Sequence, residues 1–258
     1  MSRSSFSAVA LAVAWRALHN AVTRPALILP SIIFPLFFLV AFAGGLSRVG
    51  DVPGFDFPGG YTAFVFVWIV LQSCAFTGAF MGFNIAADFE SGFSRRLLLA
   101  AADRRGIVAG YVITGLVRST FTALLLFVAV LVSGMRLEGS LLDLLGLLAL
   151  GWLANVVGTL FALGVALRMR SVQAGPLLQT PIFLLMFLAP VWVPLDLLSG
   201  FVGAVAGFNP ITFAVEAGRS LIAGSATGLP LGYGLPALMA LVLTGWALTG
   251  LRRAEAAG

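Results

Sequence analysis

Lysine is absent from this 258-residue sequence, and all 15 basic residues are arginine. That absence excludes a phosphate-binding loop ending in Gly-Lys-Ser/Thr, a Schiff-base lysine and a Ser-x-x-Lys nucleophile. The chain therefore carries no ordinary nucleotide-hydrolysing motor. Cysteine and histidine occur once each, as Cys74 and His19, too few for an intramolecular disulfide or a multi-histidine metal site. Cys74 reads as a small core residue and His19 as an interfacial side chain. Charge is scarce as well, at 10% of residues, against about 25% in soluble domains. No paired carboxylates, metal cluster or nucleophile–base set stands at a catalytic spacing, so no intrinsic catalytic activity is expected.

What fills the sequence is apolar. Hydrophobic residues make up 60% of it, with 22 phenylalanines and 30 glycines, and the mean hydropathy is +1.06. Uncharged runs reach the ~20 residues that a membrane-spanning helix needs. The fold class expected is an all-α integral membrane protein, one transmembrane domain over 1–258. Residues 4–23 mix apolar, small and basic residues and read as an interfacial amphipathic helix. Spans follow at about 26–43, 61–86, 107–132, 144–167, 176–193 and 229–251, with a Gly- and Pro-rich connection at 44–60. A charged segment, 87–106, joins the second and third spans. The stretch 195–228 is too apolar for a watery loop and reads as two short outer re-entrant helices broken at Asn209-Pro210.

Six spans put both termini on one side. That side collects eleven arginines, Arg3, Arg16, Arg24, Arg95, Arg96, Arg104, Arg105, Arg168, Arg170, Arg252 and Arg253, against Arg48, Arg136 and Arg219 opposite. Such a bias identifies the arginine-rich side as cytoplasmic. The net charge of +5 is thus a topology signal, and no nucleic-acid partner is expected.

Local chemistry concentrates in three places. In the 87–106 segment, Asp88 and Glu90 precede Gly92, and Arg95 and Arg96 follow it. A helix beginning near Ser91 would set the acids at its positive end, with Leu97, Leu98 and Leu99 as an apolar foot. This is either a partner-docking element or a charged loop that fixes topology. Arg118 lies deep inside the third span and should face the bundle, a conduit or a partner, or snorkel away from the centre; Glu138 and Asp143 are candidate counter-ions. Asn155 and Gln179 are further intramembrane polar residues, with Gln173 nearby. In the outer region Pro190, Trp192 and Pro194 end the fifth span, and Asn209, Pro210, Glu216 and Arg219 follow. Glu216 and Arg219 share a helix face, as a local salt bridge or as the lining of an outer gate organised with Asp196. Gly78 and Gly82 allow a close helix crossing, within one chain or across a dimer.

Taken in order, these features resemble the permease subunit of the type-2 ABC exporter family, especially its antibiotic-resistance and lipo-oligosaccharide branch. The match rests on the N-terminal amphipathic helix, on Asp88-Phe89-Glu90-Ser91-Gly92 with Arg96-Leu97-Leu98, and on Pro190-Val191-Trp192-Val193-Pro194-Leu195 with Phe208-Asn209-Pro210-Ile211-Thr212, Arg219 and Gly224. The resemblance implies an exporter of two permease chains, as a homodimer, and two nucleotide-binding ATPase subunits. ATP and Mg would be bound on those subunits, leaving this chain without a cofactor of its own. Asp88, Glu90, Gly92, Arg95 and Arg96 would couple to the ATPase, and 195–222 would help close the exit. Lipophilic small molecules and glycolipids both fit as cargo. A non-transporting membrane assembly protein and an ion-driven secondary transporter are the competing functions.

Overall fold

The computed structural model describes residues 5–23, 29–101, 103–135 and 138–256, which are helical with no strand among them. In chain order the α-helices are α1 (Phe6–Thr23), α2 (Leu29–Phe38), α3 (Gly60–Glu90), α4 (Phe93–Ala100) and α5 (Arg105–Val132). They continue as α6 (Leu141–Met169), α7 (Gly175–Phe187), α8 (Gly200–Phe208), α9 (Pro210–Ile222) and α10 (Leu229–Ala256). α3, α5, α6 and α10 are long and apolar enough to cross a membrane; α8 and α9, bent by 80°, make a fifth crossing only if the pair counts as one span. The expected first and fifth spans take the form of shorter apolar helices. α2 continues into a π-helical turn, Leu39–Gly44, and Arg3, Arg24 and Arg136 lie outside the described residues.

Differences in helix ends have local causes. α7 stops at Phe187 instead of running to 193, because proline at 190 disfavours helical backbone at Ala189 and supplies no N–H. α6 starts at Leu141, three residues early, where Ser140 and Asp143 form a capping box: the Ser140 side chain accepts from the Asp143 N–H, and the Asp143 carboxylate accepts from the Ser140 N–H at 2.8 Å. α3 runs on to Glu90 and ends at Gly92, whose φ of +73° is left-handed backbone suited to glycine.

α3 is apolar all round and is the axis of the bundle, with 94% of its most apolar window buried. α2 and α7 both run antiparallel to it. Phe34 meets Phe76 edge to face and Phe38 meets Trp68 likewise, while Trp68 donates its indole N–H to the Met186 carbonyl at 2.9 Å. Two apolar layers result. One holds α1, the end of α3, the start of α5 and the C-terminal end of α10, through Val9, Val13, Ile85, Ile107, Leu251 and Ala254; we call this end proximal. The other, distal layer is built on Tyr61–Leu71 of α3 with α9 and the ends of α2 and α7.

α3 and α6 cross in close contact. A methyl group at Gly78 would strike the Asn155 carbonyl and lie 2.7 Å from the Thr159 nitrogen; one at Gly158 would strike the Ala75 carbonyl. With no hydrophobic drive between helices in lipid, such close backbone approach supplies the packing. Gly78 and Gly82 thus serve packing within the chain. Gly158→Leu should force the crossing apart and destabilise the protein by about 3 kcal/mol. Gly245→Ala, facing open space on α10, should raise stability by a fraction of 1 kcal/mol. Thermal unfolding in detergent checks both, and equal midpoints would contradict the crossing.

Candidate functional site

Polar chemistry gathers at both ends of α3 and in its middle. At the proximal end, Asp88 and Glu90 occupy the last turn of α3, not the positive end of the helix that follows. Carboxylates are unfavourable at a helix C-terminus, and here partners offset the cost. The Arg16 guanidinium of α1 grips Asp88 through two bonds of 2.8 Å, and the Tyr111 hydroxyl donates to the same carboxylate at 3.1 Å. Glu90 accepts the Ser171 hydroxyl and the Val172 N–H, both at 2.9 Å. The Arg16 guanidinium also lies 3.5 Å above the Phe93 ring. Its hydrogen bond to Asp88 raises its pKa further, so the guanidinium keeps its charge.

Past Gly92, α4 turns its charges outward. Arg95, Arg96 and Leu99 are exposed, while Leu97 and Leu98 pack into the proximal layer. The five residues grouped by sequence therefore divide by geometry. Asp88 and Glu90 fasten the base of α4 to α1, α5 and the turn after α6; Arg95 and Arg96 face away from the bundle. α1 itself lies along α5, where Gly106 and Gly110 admit Val9 and Val13.

In the middle of the bundle Arg118 is 7% exposed and Asn155 is fully buried. Asn155 donates to the Cys74 carbonyl at 3.0 Å, and its side-chain oxygen faces Gly115 beside the Thr159 hydroxyl. Gln179 is half-buried on α7 and makes no hydrogen bond among the described residues, so it does not join Asn155. Cys74 is buried. Gln72, Thr77, Thr114, Ser119 and Thr159 are equally buried. A short polar interruption of an apolar run breaks no period, so nothing in the sequence singles them out.

At the distal end the organiser is Arg219. It is 2% exposed and donates to the Glu216 carboxylate and the Pro190 carbonyl, each at 2.7 Å, and to the Val191 and Phe64 carbonyls at 3.3 Å. Its guanidinium lies 3.3 Å from the centre of the Phe64 ring. The salt bridge expected from sequence exists, but it is the lesser part: Arg219 fastens α9 to the turn after α7 and to α3. Asn209 caps α9 by accepting the Ile211 N–H at 3.0 Å, and its amide donates to the Leu185 carbonyl at 2.6 Å. Pro210 opens the helix. Trp192 packs against Phe42 and Trp68, whereas Pro194 and the exposed Asp196 belong to a short 3-10 turn.

Long apolar helices, a charged helix at one end and a pinned bent pair at the other are the build of a multi-pass membrane protein. The ABC-2 type transporter family model matches residues 9–223. The chain belongs to that family and is the membrane permease component of an ABC exporter. No curated protein and no solved structure matches it.

Replacing Arg219 with Met keeps the apolar stem but leaves three carbonyls without their donor. A stability loss of about 3 kcal/mol is expected, whereas Glu216→Gln, at a carboxylate 46% exposed, should cost less than ~1 kcal/mol. Equal losses in thermal unfolding would show that the salt bridge, and not the carbonyl set, holds α9.

Proposed function

We propose that this chain is the permease of an ATP-driven exporter whose ATP and Mg are bound on separate nucleotide-binding subunits, and that two copies form the membrane channel as a homodimer. The observation carrying this reading is α4: a short helix rigidly based by Asp88 and Glu90, with Arg95, Arg96 and Leu99 turned outward. That is the geometry of a lever a partner can grip. Gly92 provides the turn between base and lever.

The arrangement of charge supports an inserted protein with both termini cytoplasmic. Nine described arginines sit at the proximal end, against Arg48 and Arg219 at the distal end. Six spans follow if α2 and α7 each count as one, supported by their antiparallel course along α3. The re-entrant reading of 195–228 is supported by depth. Ile211 and Ala214 share a cavity with Leu71 and Ala75 of α3, while the far end of α9 returns to the distal side, where Ile222 accepts the Gly139 N–H. α1 would then lie at the cytoplasmic membrane surface. Cargo of lipophilic or glycolipid character suits an apolar bundle, in keeping with the antibiotic-resistance and lipo-oligosaccharide branch. Arg118 and Asn155 are the residues proposed to face or shape its route, and Pro190, Trp192, Pro194, Asn209, Pro210, Glu216 and Arg219 the frame of its exit.

Reversing both charges with Arg95→Glu and Arg96→Glu should lower co-purification of the ATPase subunit, or the export driven by it, at least tenfold without reducing membrane insertion. Undiminished association and export would overturn the assignment of α4. Arg118→Leu should change cargo-stimulated ATP hydrolysis while assembly persists; wild-type transport by that variant removes Arg118 from the route.

A further inference from the structure

Beside α4, on the proximal face, lies a groove of about 440 Å³ bounded by Phe89, Glu90, Arg95, Leu98, Leu99, Arg104 and Arg170, with Ala254 of α10 at its edge. Arg95 of α4, Arg104 at the N-cap of α5 and Arg170 at the C-cap of α6 line it together with one carboxylate; Arg104 gives its Nε–H to the Leu98 carbonyl at 2.9 Å. That carboxylate is already engaged, since Glu90 accepts both the Ser171 hydroxyl and the Val172 N–H. Arg170 commits one N–H to the Arg253 carbonyl at 3.3 Å, out of the five a guanidinium carries. The balance of the groove is cationic, and its donors are of the kind that fork onto phosphate oxygens.

Arg170 has a second peculiarity. It is the C-cap of α6 with φ +52°, a conformation usual for glycine or asparagine and costly for a long side chain. Glycine would relieve that strain and remove a wall of the groove. The other walls are apolar: Phe89, Leu98 and Leu99, the last 78% exposed. A cationic groove with an apolar rim, at the membrane end of the helices, matches an amphiphile better than a free ion.

We infer that this groove binds a phosphate group carried as the headgroup of an anionic membrane lipid, held between Arg170 and Arg95 with its glycerol portion against Leu98 and Leu99. The inference rests on the permease reading in placing this end at the cytoplasmic leaflet, and it concerns the chain free of ATPase, since Arg95 and Leu99 are also the side chains proposed for the ATPase to grip.

Binding is measured on the purified full chain in neutral detergent, without any ATPase subunit. Native mass spectrometry would compare dioctanoyl-phosphatidylglycerol with dioctanoyl-phosphatidylcholine. The anionic lipid should bind at least tenfold tighter, and Arg170→Asn, which suits the left-handed backbone and so preserves the fold, should weaken it at least fivefold. Arg252→Gln, on the same face but outside the groove, should leave it unchanged. Equal binding of the two lipids, or equal loss in both variants, would overturn the site in favour of general surface charge. If millimolar inorganic phosphate displaces the lipid from the wild type, the phosphate chemistry stands and the lipid source is wrong. If Arg170→Asn keeps lipid binding but loses ATPase co-purification, the groove belongs to the protein partner and the inference fails. Lipid binding by a chain that recruits no ATPase would defeat the proposed function alone.

Discussion

A helix surrounded on every side must satisfy its neighbours through packing, because lipid offers no hydrophobic drive for helices to associate. α3 is that helix here. Gly78 and Gly158 let its backbone meet α6 at a distance no side chain tolerates, and the remaining helices take their places on the surface left over. α2 and α7 pack antiparallel to it through aromatic contacts at Trp68, and α5 meets α6 where Gly115 makes room for the Asn155 and Thr159 oxygens. Loosening the α3–α6 crossing would disturb all of these at once.

The two ends of the bundle solve a different problem, that of backbone groups left over where helices stop. In a low-dielectric setting an unpaired carbonyl is expensive. At the distal end the broken stretch after α7 exposes the Pro190 and Val191 carbonyls, and Arg219 answers both while also reaching Phe64. At the proximal end the acids in the last turn of α3 would oppose the helix dipole without Arg16, Tyr111 and the Val172 N–H. Arginine suits such tasks because its planar fork serves several acceptors from one buried charge. In a chain without lysine, arginines act as structural fasteners as well as gathering at the proximal end.

How much of this could be read from sequence depends on the range of the interaction. Hydropathy located α3, α5, α6 and α10 to within a few residues, since burial in lipid leaves its mark on every consecutive residue. It overran α7, where a proline three residues past the helix end decides the matter. The Glu216–Arg219 pair was visible because it is local, at i and i+3. The bonds from Arg219 to Pro190 and Phe64 were not, since they close separations of 29 and 155 residues. Likewise Asp88 and Arg95 looked like one charged cluster, and only the Arg16 contact, 72 residues away, tells the fastened acid from the outward base. The intramembrane set of Arg118, Asn155 and Gln179 was chosen by polarity alone, which says nothing of which face a residue takes, and Gln179 proves to stand apart.

These two ends share a single rigid element. α3 carries Phe64, the contact of the distal Arg219, and Asp88 and Glu90, the base of α4, and it holds no proline or described break between them. A helix of 31 residues at about 1.5 Å per residue is roughly 46 Å long, enough to join one membrane face to the other. In the ATP-driven export proposed above, a displacement of α4 would not need to travel through a chain of soft contacts to reach the distal end. It would tilt α3, and a tilt of α3 would shift Phe64 beneath Arg219. The salt bridge to Glu216 lies on α9 itself and moves with it, whereas the bonds to Pro190, Val191 and Phe64 cross between elements. Those crossing bonds are the ones a tilt would strain, which makes the carbonyl set of Arg219, and not its carboxylate partner, the part of the distal latch that can open.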